Sequence, residues 1–485
     1  MSSPSQTGEK TLFGHPVGLF YLSFTEAWER FSYYGMQTLL VLYMTKQLLF
    51  SPHVERIAGF HGYLAALEWL PTVLRSAGHC ALHTGDCRML PAAPLSTLAI
   101  ASQTFGWYTS LVYVTPILGG LLADRVLGRT KTVTIGAILM SIGHFLMAFD
   151  ASFLLALLCL LLGVGCFKGN IATQVGDLYA KGDNRRADAF QFYMFGIQVA
   201  VIVAPLVTGG LGQGIGWHWG FGAAGVGMVI GLLIYLRSRK YLPREPDIVR
   251  TRTKLERPKL APGEGKSIWV LVLLLPVLAL AALGNQQMGD AYLVWGDQNL
   301  QLTFFGFNMP VTWLTSLDAI ISAITLAGSV LFWRWWSSFR TEPNEITKLT
   351  IGASISALAP VFLAIASLHP AGQRASIGWA VAFHVVNDIG FANILPVGLA
   401  LYSRVAPKAI GATMIAVFYL HLAFCNQLVG QLGGLLDSMP GFTFWMMHAC
   451  LVGAGAVLFL VFRSVAGRIL APTVDPEAAL AAAPA

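Results

Sequence analysis

Apolar stretches of about 20 residues recur along nearly the whole 485-residue chain, and this recurrence leaves little choice of fold. In lipid every backbone N–H and C=O needs a partner within its own segment, so such stretches become transmembrane helices. They lie near 16–44, 98–124, 131–149, 151–178, 188–211, 217–237, 267–296, 310–333, 348–368, 376–402, 409–436 and 442–466. The layout predicts an all-α membrane protein with 12 transmembrane helices. It divides into a bundle over 15–236, a basic linker over 237–266 and a second bundle over 267–468, with a central cavity between the bundles. Residues 1–14 are polar, without the apolar core of a cleaved signal, and are expected to be a flexible N-terminus. Residues 469–485 are low-complexity and expected to be disordered.

Charge sets the expected orientation. Only 11% of the residues are charged, against about a quarter in soluble domains. The net charge of +7 would suggest a nucleic-acid partner in a soluble protein, but its distribution excludes that reading. With the N-terminus inside, 24 of the 31 Lys and Arg fall on the cytoplasmic side, including Arg125, Arg129, Lys131, Arg185, Arg186 and the run from Arg237 to Lys266. An error in the span count would invert every later loop and erase this bias. Both termini are therefore expected to be cytoplasmic, in a multi-pass protein of the cell membrane with lipid as its surroundings.

The loop over 50–98 is long for an external connection, and its stretch from Ile57 to Leu74 reads as a short interfacial helix. Of six cysteines only Cys80 and Cys87 lie there, where oxidation is possible. A disulfide, two free thiols, or a metal site with His79 and His83 all fit. The other four cysteines are packing residues.

Ionisable groups at bilayer depth are the most informative residues, because each costs roughly 2.5–3.5 kcal/mol to insert. The first span holds Glu26, Glu29 and Arg30. At 100° per residue they share one helix face with Tyr33 and Gln37. Two carboxylates beside a guanidinium can hold or release a proton according to what occupies the arginine; a static salt bridge is the plainer reading. The fourth span carries Lys168 among glycines with no acidic residue within a turn, so its partner comes from another helix or a ligand, unless it snorkels. In the second half Asp388 sits nearest mid-span and is the preferred acidic site, whereas Asp290 and Asp318 are placed near the outer interface. His144, His384 and His421 are candidate proton relays, or hydrogen-bonded packing residues. Pro116, Pro205, Pro276, Pro360 and Pro396 interrupt spans.

Three motifs resemble those of a known family. Glu26-Ala27-Trp28-Glu29-Arg30-Phe31-Ser32-Tyr33-Tyr34-Gly35 is similar to the ExxERFxYYG signature of the proton-dependent oligopeptide transporter (POT/PTR) family. Phe167-Lys168-Gly169-Asn170 resembles that family's fourth-span FKxN. Gly120-Leu121-Leu122-Ala123-Asp124-Arg125-Val126-Leu127-Gly128-Arg129 looks like the charged latch between spans two and three of the major facilitator superfamily. The resemblance implies a major facilitator fold and proton-driven symport of di- and tripeptides. Glu26, Glu29 and Asp388 would couple protons. Arg30 and Lys168 would meet the peptide carboxylate, and Tyr33, Tyr34, Asn170, Gln286, Asp388 and Phe391 would line the pocket. Asp124, Arg125 and Arg129 would form the gating loop. No cofactor beyond the coupling protons is implied.

Departures from the family pattern bear on the substrate. Gly196 and Ile197 replace the Ile-Asn of the fifth-span motif, and Gln286 stands where many members carry an acid. Pro396-Val397-Gly398-Leu399 matches the tenth-span PVGL, but Phe391 occupies the position of the glutamate that receives the peptide amine. Asp388, three residues earlier on nearly the same face, is a substitute. Uptake of short peptides is the leading expectation. Transport of another small zwitterion or anion, such as a peptide-like antibiotic or a modified amino acid, is the alternative. A membrane receptor or enzyme is remote, since no HExxH or GxSxG is paired with a partner. Direction, stoichiometry and oligomeric state are not encoded legibly.

Overall fold

The computed structural model describes residues 11–82, 94–180, 183–242, 260, 264–370, 372–407 and 410–470. Each of the expected apolar stretches is helical. The first half contains α1 (Val17–Tyr43), α2 (Phe60–Leu82), α3 (Thr97–Leu122), α4 (Arg129–Leu146), α5 (Phe153–Asp177), α6 (Arg185–Ala204), α7 (Gly210–Gly214) and α8 (Trp217–Ser238). The second half contains α9 (Glu264–Gln286), α10 (Ala291–Asn299), α11 (Trp313–Ser337), α12 (Glu345–Ala366), α13 (Ile377–Phe391), α14 (Leu395–Val405), α15 (Gly411–Gly433) and α16 (Gly441–Leu470). Among the described residues, 10 helical segments are long and apolar enough to cross a membrane. The other two expected spans, α1 and α4, fall short: α1 carries three charges in one window and α4 is short and threonine-rich. The protein is therefore a multi-pass membrane protein.

Three expected spans are broken helices. The fifth changes pitch over Pro205–Gly209 between α6 and α7, where the proline lacks the N–H that the helix needs. The seventh breaks at Gln287–Gly289 before α10, and the tenth at Ala392–Ile394, with Pro396 in the first turn of α14. Pro116, Pro276 and Pro360 sit inside continuous helices and break nothing.

Small residues bring helices together where larger ones would hold them apart. A Cβ on Gly119 would lie 1.9 Å from the Gly165 carbonyl, so α3 and α5 touch backbone to backbone. Away from such seams, Ile135, Ile138, Ile142 and Phe145 leave the lipid-side face of α4 exposed at helical spacing.

Two expectations about loops change. Residues 11–14 are not flexible: Thr11–Leu12 pairs with His15–Pro16 around Phe13 and Gly14, both with positive φ as a two-residue hairpin turn requires. His15 is buried there, its Nδ1 2.8 Å from the Tyr179 hydroxyl. The short interfacial helix expected after Ile57 runs through Phe60–Leu82 and docks by a 2.8 Å bond from the Tyr63 hydroxyl to Thr104 of α3. Cys87, and with it the disulfide expectation, lies outside the described residues, as do most of the linker and the C-terminal tail.

The two halves meet at one end. Lys46, just after α1, pairs with Asp297 of α10 at 2.5 Å. Ser96 and Ser110 bond Asp437 and the Ala423 carbonyl at 3.0 and 2.9 Å. Ser316 of α11 donates to the Ile202 carbonyl at 2.7 Å, and Thr312 to Gln213 at 3.0 Å. Gly106 of α3 meets Gly430 of α15 with 2.7 Å between the Cβ that Gly106 lacks and the Gly430 Cα. Except for the Ser110 bond, which lies midway along α3 and α15, these lie toward the end where α1 finishes and α3 begins. The opposite end shows no such bond between the halves among the described residues.

Candidate functional site

In the first half the site is built on α1. Arg30 Nε lies 3.1 Å from Glu26 and also bonds the Glu29 carboxylate, with side chains 4%, 3% and 0% exposed. The i, i+4 and i+1 spacing lets one guanidinium serve both acids. The triad is incompletely satisfied, however. One Arg30 terminal nitrogen and one oxygen of each glutamate have no hydrogen-bond partner. Arg30 also lies over the Tyr33 ring at 5.3 Å. Tyr108 of α3 and Tyr193 of α6, which sequence reasoning missed, are buried beside the triad.

Lys168 is placed differently. Its Nζ sits 4.7 Å above the ring of Tyr113 on α3, and no carboxylate among the described residues pairs with it. It is only partly buried, and a Cβ on neighbouring Gly169 would meet nothing within 4 Å. One cation of the pair is thus held by protein acids, and the other is paired with none among the described residues.

Several expected pocket residues turn elsewhere. Asn170 is buried and gives its amide to the Cys166 and Gly119 carbonyls at 2.8 and 3.3 Å, so it fastens α5 to α3 instead of facing the pocket. Gln286 bonds Asn285 and Asn426, and Phe391 is a half-buried packing residue. Arg129 bridges Asp124 at 3.9 Å and Asp177 at 2.5 Å, which ties the charged loop to its own half. The loop turns at Gly128, whose φ of +79° disfavours other residues. Among the histidines, His144 bonds Ser32 and His421 bonds the Phe418 carbonyl, both as packing.

The second half differs most from expectation. Asp290 is fully buried: Gln287 donates to it at 3.2 Å, and it lies against Ser102 and Gly433 at the α3–α15 seam. Asp318 has a partner within the protein. It bonds His384 Nδ1 at 2.9 Å, while Nε2 of the same ring meets the Tyr292 hydroxyl at 2.8 Å. Asp388, one turn beyond His384 on α13, is 1% exposed. Sequence spacing could not join α10, α11 and α13; only the i, i+4 pair His384 and Asp388 was a legible hint.

Comparison with known proteins finds similar chains. The sequence model of the POT family, PTR2, matches residues 130–255. A di-/tripeptide transporter of Lactococcus lactis subsp. cremoris is 28% identical across 94% of this chain and 97% of its own. An uncharacterized transporter of Bacillus subtilis (strain 168), YclF, is 27% identical over 89% of this chain and 90% of its own. The crystal structure of a peptide transporter POT in complex with sulfate has a TM-score of 0.77 at 24% identity, covering 95% and 97% of the two chains. The fold is accordingly the one that this POT transporter structure has.

The incomplete triad makes a direct prediction. Arg30→Ala leaves two buried carboxylates without a counter-charge, which costs about 3–5 kcal/mol. Purified variant should melt well below wild type in the same detergent, whereas Arg30→Lys recovers part of the loss. An unchanged melting temperature for Arg30→Ala would show that the triad is hydrated and not buried.

Proposed function

We propose that this transporter is a proton-coupled symporter that imports di- and tripeptides through the plasma membrane by alternating access. Twelve spans with both termini cytoplasmic are part of the proposal. The charge bias then makes the joined end of the halves the outer one and the unjoined end the inner one. The observation that carries the reading is Lys168, a partly buried cation without a protein carboxylate, set beside the Glu26–Glu29–Arg30 triad. A peptide's C-terminal carboxylate suits that cation through a charge-assisted hydrogen bond. Its ammonium suits the acids of the opposite half. Glu29 and Glu26 then compete with the substrate for Arg30, so a proton and a peptide favour one another. No cofactor enters this scheme. The relatives named as di-/tripeptide transporters support the substrate class.

Proteoliposomes test it. Labelled dialanine should accumulate under an inward proton gradient and merely equilibrate without one; equal rates in the two conditions would remove the coupling. A second reading, another small zwitterion, is favoured by Phe391 and Gln286, which depart from the acids of the family pattern that the sequence resembles. A thermal-shift panel separates the two, since ligands of the folded state raise its melting temperature. Silence across peptides beside a response to amino-acid derivatives would select the second.

A further inference from the structure

The connection between α10 and α11 carries an exposed aromatic surface that transport leaves without a role. From Gln298 to Leu317 the sequence has no Asp, Glu, Lys, Arg or His, although this stretch joins two helices at a bundle end. Within it Thr303–Phe304 pairs with Phe307–Asn308 as a short antiparallel hairpin. Phe305 and Gly306 make the turn, with φ of +49° and +82°. A two-residue hairpin turn needs positive φ at both central positions, and Asn, Asp or Gly usually supplies the first. A phenylalanine there is strained, and strain of this kind points to function. Packing does not repay it: Phe305 is fully exposed, and Phe304 and Phe307 are 37% and 53% exposed.

The root of the hairpin is fixed. Leu302 and Val311 are buried, the Met309 N–H donates to the Leu302 carbonyl at 2.8 Å, and the Thr303 hydroxyl donates to Asn308 at 2.7 Å. Phe307 shows where the tip stands, because its ring lies 5.6 Å from that of Trp313, the first residue of α11. At 100° per residue, Ile320, Ile324 and Leu331 fall within about 20° of Trp313 around the helix. All three are exposed, so Trp313 heads the apolar stripe that α11 turns to lipid. Its indole N–H donates to the Leu206 carbonyl at 3.2 Å. Val199, Val203 and Leu206 form a second exposed apolar stripe, on the fifth span. The hairpin is thus continuous with the lipid-facing surface of α6 and α11.

We propose that this hairpin is a lipid anchor, with the rings of Phe304, Phe305 and Phe307 inserted into the outer leaflet beside the α6–α11 seam. The partner is the phospholipid bilayer itself, bound by apolar contact and not by charge, which suits a tip without ionisable groups. Aromatic rings are favoured at the boundary between membrane and water, whereas three exposed together in water form a sticky patch. The depth follows from the backbone. Phe305 and Gly306 lie outside the two-strand ladder, so their N–H groups need water, and the tip rests at headgroup level above the hydrocarbon. Thr312, bonded to Gln213, and Ser316, bonded to the Ile202 carbonyl, follow directly in the chain. The anchor therefore holds the end of α11 at a fixed depth while the halves part at that seam. Only the naming of the leaflet rests on the transport reading.

Spin-label accessibility tests the anchor without any transport assay. The full chain, with its six native cysteines replaced, takes a nitroxide at Phe305→Cys and enters phosphatidylethanolamine–phosphatidylglycerol vesicles. Ile320→Cys, on the lipid stripe, and Gln373→Cys, in an exposed loop, give the lipid and water references. The label at Phe305 should collide with oxygen in preference to a water-soluble nickel chelate, as the Ile320 label does. Collision with the chelate as frequent as at Gln373 overturns the anchor, because the tip then stands in water. Protection from both reagents also overturns it, because a protein surface, such as a second copy of this chain, then covers the tip. A label at Asn308→Cys supplies the second reading. Its oxygen preference should be lost when Phe304, Phe305 and Phe307 are all changed to Ser, with the melting temperature kept. Retention of that preference in the serine variant means that the rings do not hold the hairpin in lipid, and the proposal fails.

Discussion

Lys168→Ala should reduce gradient-driven peptide uptake at least about 100-fold and leave the protein's thermal stability close to wild type. Those two halves of the expectation come from one feature. Lys168 has a ring for a neighbour, Tyr113, and no carboxylate among the described residues. Truncating one partner of a desolvated charge pair costs about 2–5 kcal/mol. Here the lost partner belongs to the substrate, so the penalty appears in transport and not in folding. Arg30 contrasts with it, because its partners are Glu26 and Glu29, and its removal should appear first in stability. Uptake in proteoliposomes and melting of the same preparations measure both. If Lys168→Ala unfolds the protein as readily as Arg30→Ala, then Lys168 carries an internal charge and the proposed contact with cargo is wrong.

Gly106→Val should abolish uptake by a different route, through closure of the outer end. The Cβ at this position would stand 2.7 Å from the Asn426 carbonyl and from the Gly430 Cα. A valine therefore holds α3 away from α15, and overpacking of this kind costs about 1–3 kcal/mol. That amount moves a balanced two-state equilibrium by a factor of about 5 to 150. Transport should fall below about a tenth of wild type while peptide still binds from outside. A cysteine placed by Ser102→Cys, with the six native cysteines replaced, reads the seam: an impermeant thiol reagent should label it far faster in the Gly106→Val background. Normal uptake with slow labelling would mean that this seam is not the outer gate. Gly430 is the natural control, because a side chain there meets the Ser102 carbonyl from the other side.

The joined and unjoined ends also give the proposed cycle a direction. Lys46–Asp297, Ser96–Asp437 and the α6–α11 bonds all lie on the side that the charge bias assigns to the exterior. Toward the basic linker no hydrogen bond or ion pair joins the halves among the described residues. Such an arrangement releases cargo inward, and it must break these bonds to admit the next peptide. Every one of them is a partly exposed or neutral polar contact, except Asp290 at the α3–α15 seam, which is sealed without a cation among the described residues. Neutral contacts of this size are each worth about 1 kcal/mol, so they can break and reform within a working cycle.

The amino-acid sequence alone determined the helical membrane architecture, its two halves and the α1 cluster. These follow from local quantities: lipid forces each apolar stretch to satisfy its own backbone, and Glu26, Glu29 and Arg30 lie within one helical turn of one another. Which proline breaks a helix was not local. Pro205 and Pro396 do, while Pro116, Pro276 and Pro360 do not, because neighbouring helices decide whether a freed carbonyl is satisfied. The tertiary structure alone decided which cation lacks a paired carboxylate among the described residues, that Asn170 faces α3, that Asp290 is buried and that Asp318 bonds His384. It also joined Asp318 and His384, which come from two helices some 66 residues apart in the chain. Side-chain partners across helices depend on helix rotation and packing distance, and neither is encoded in the spacing along a single segment.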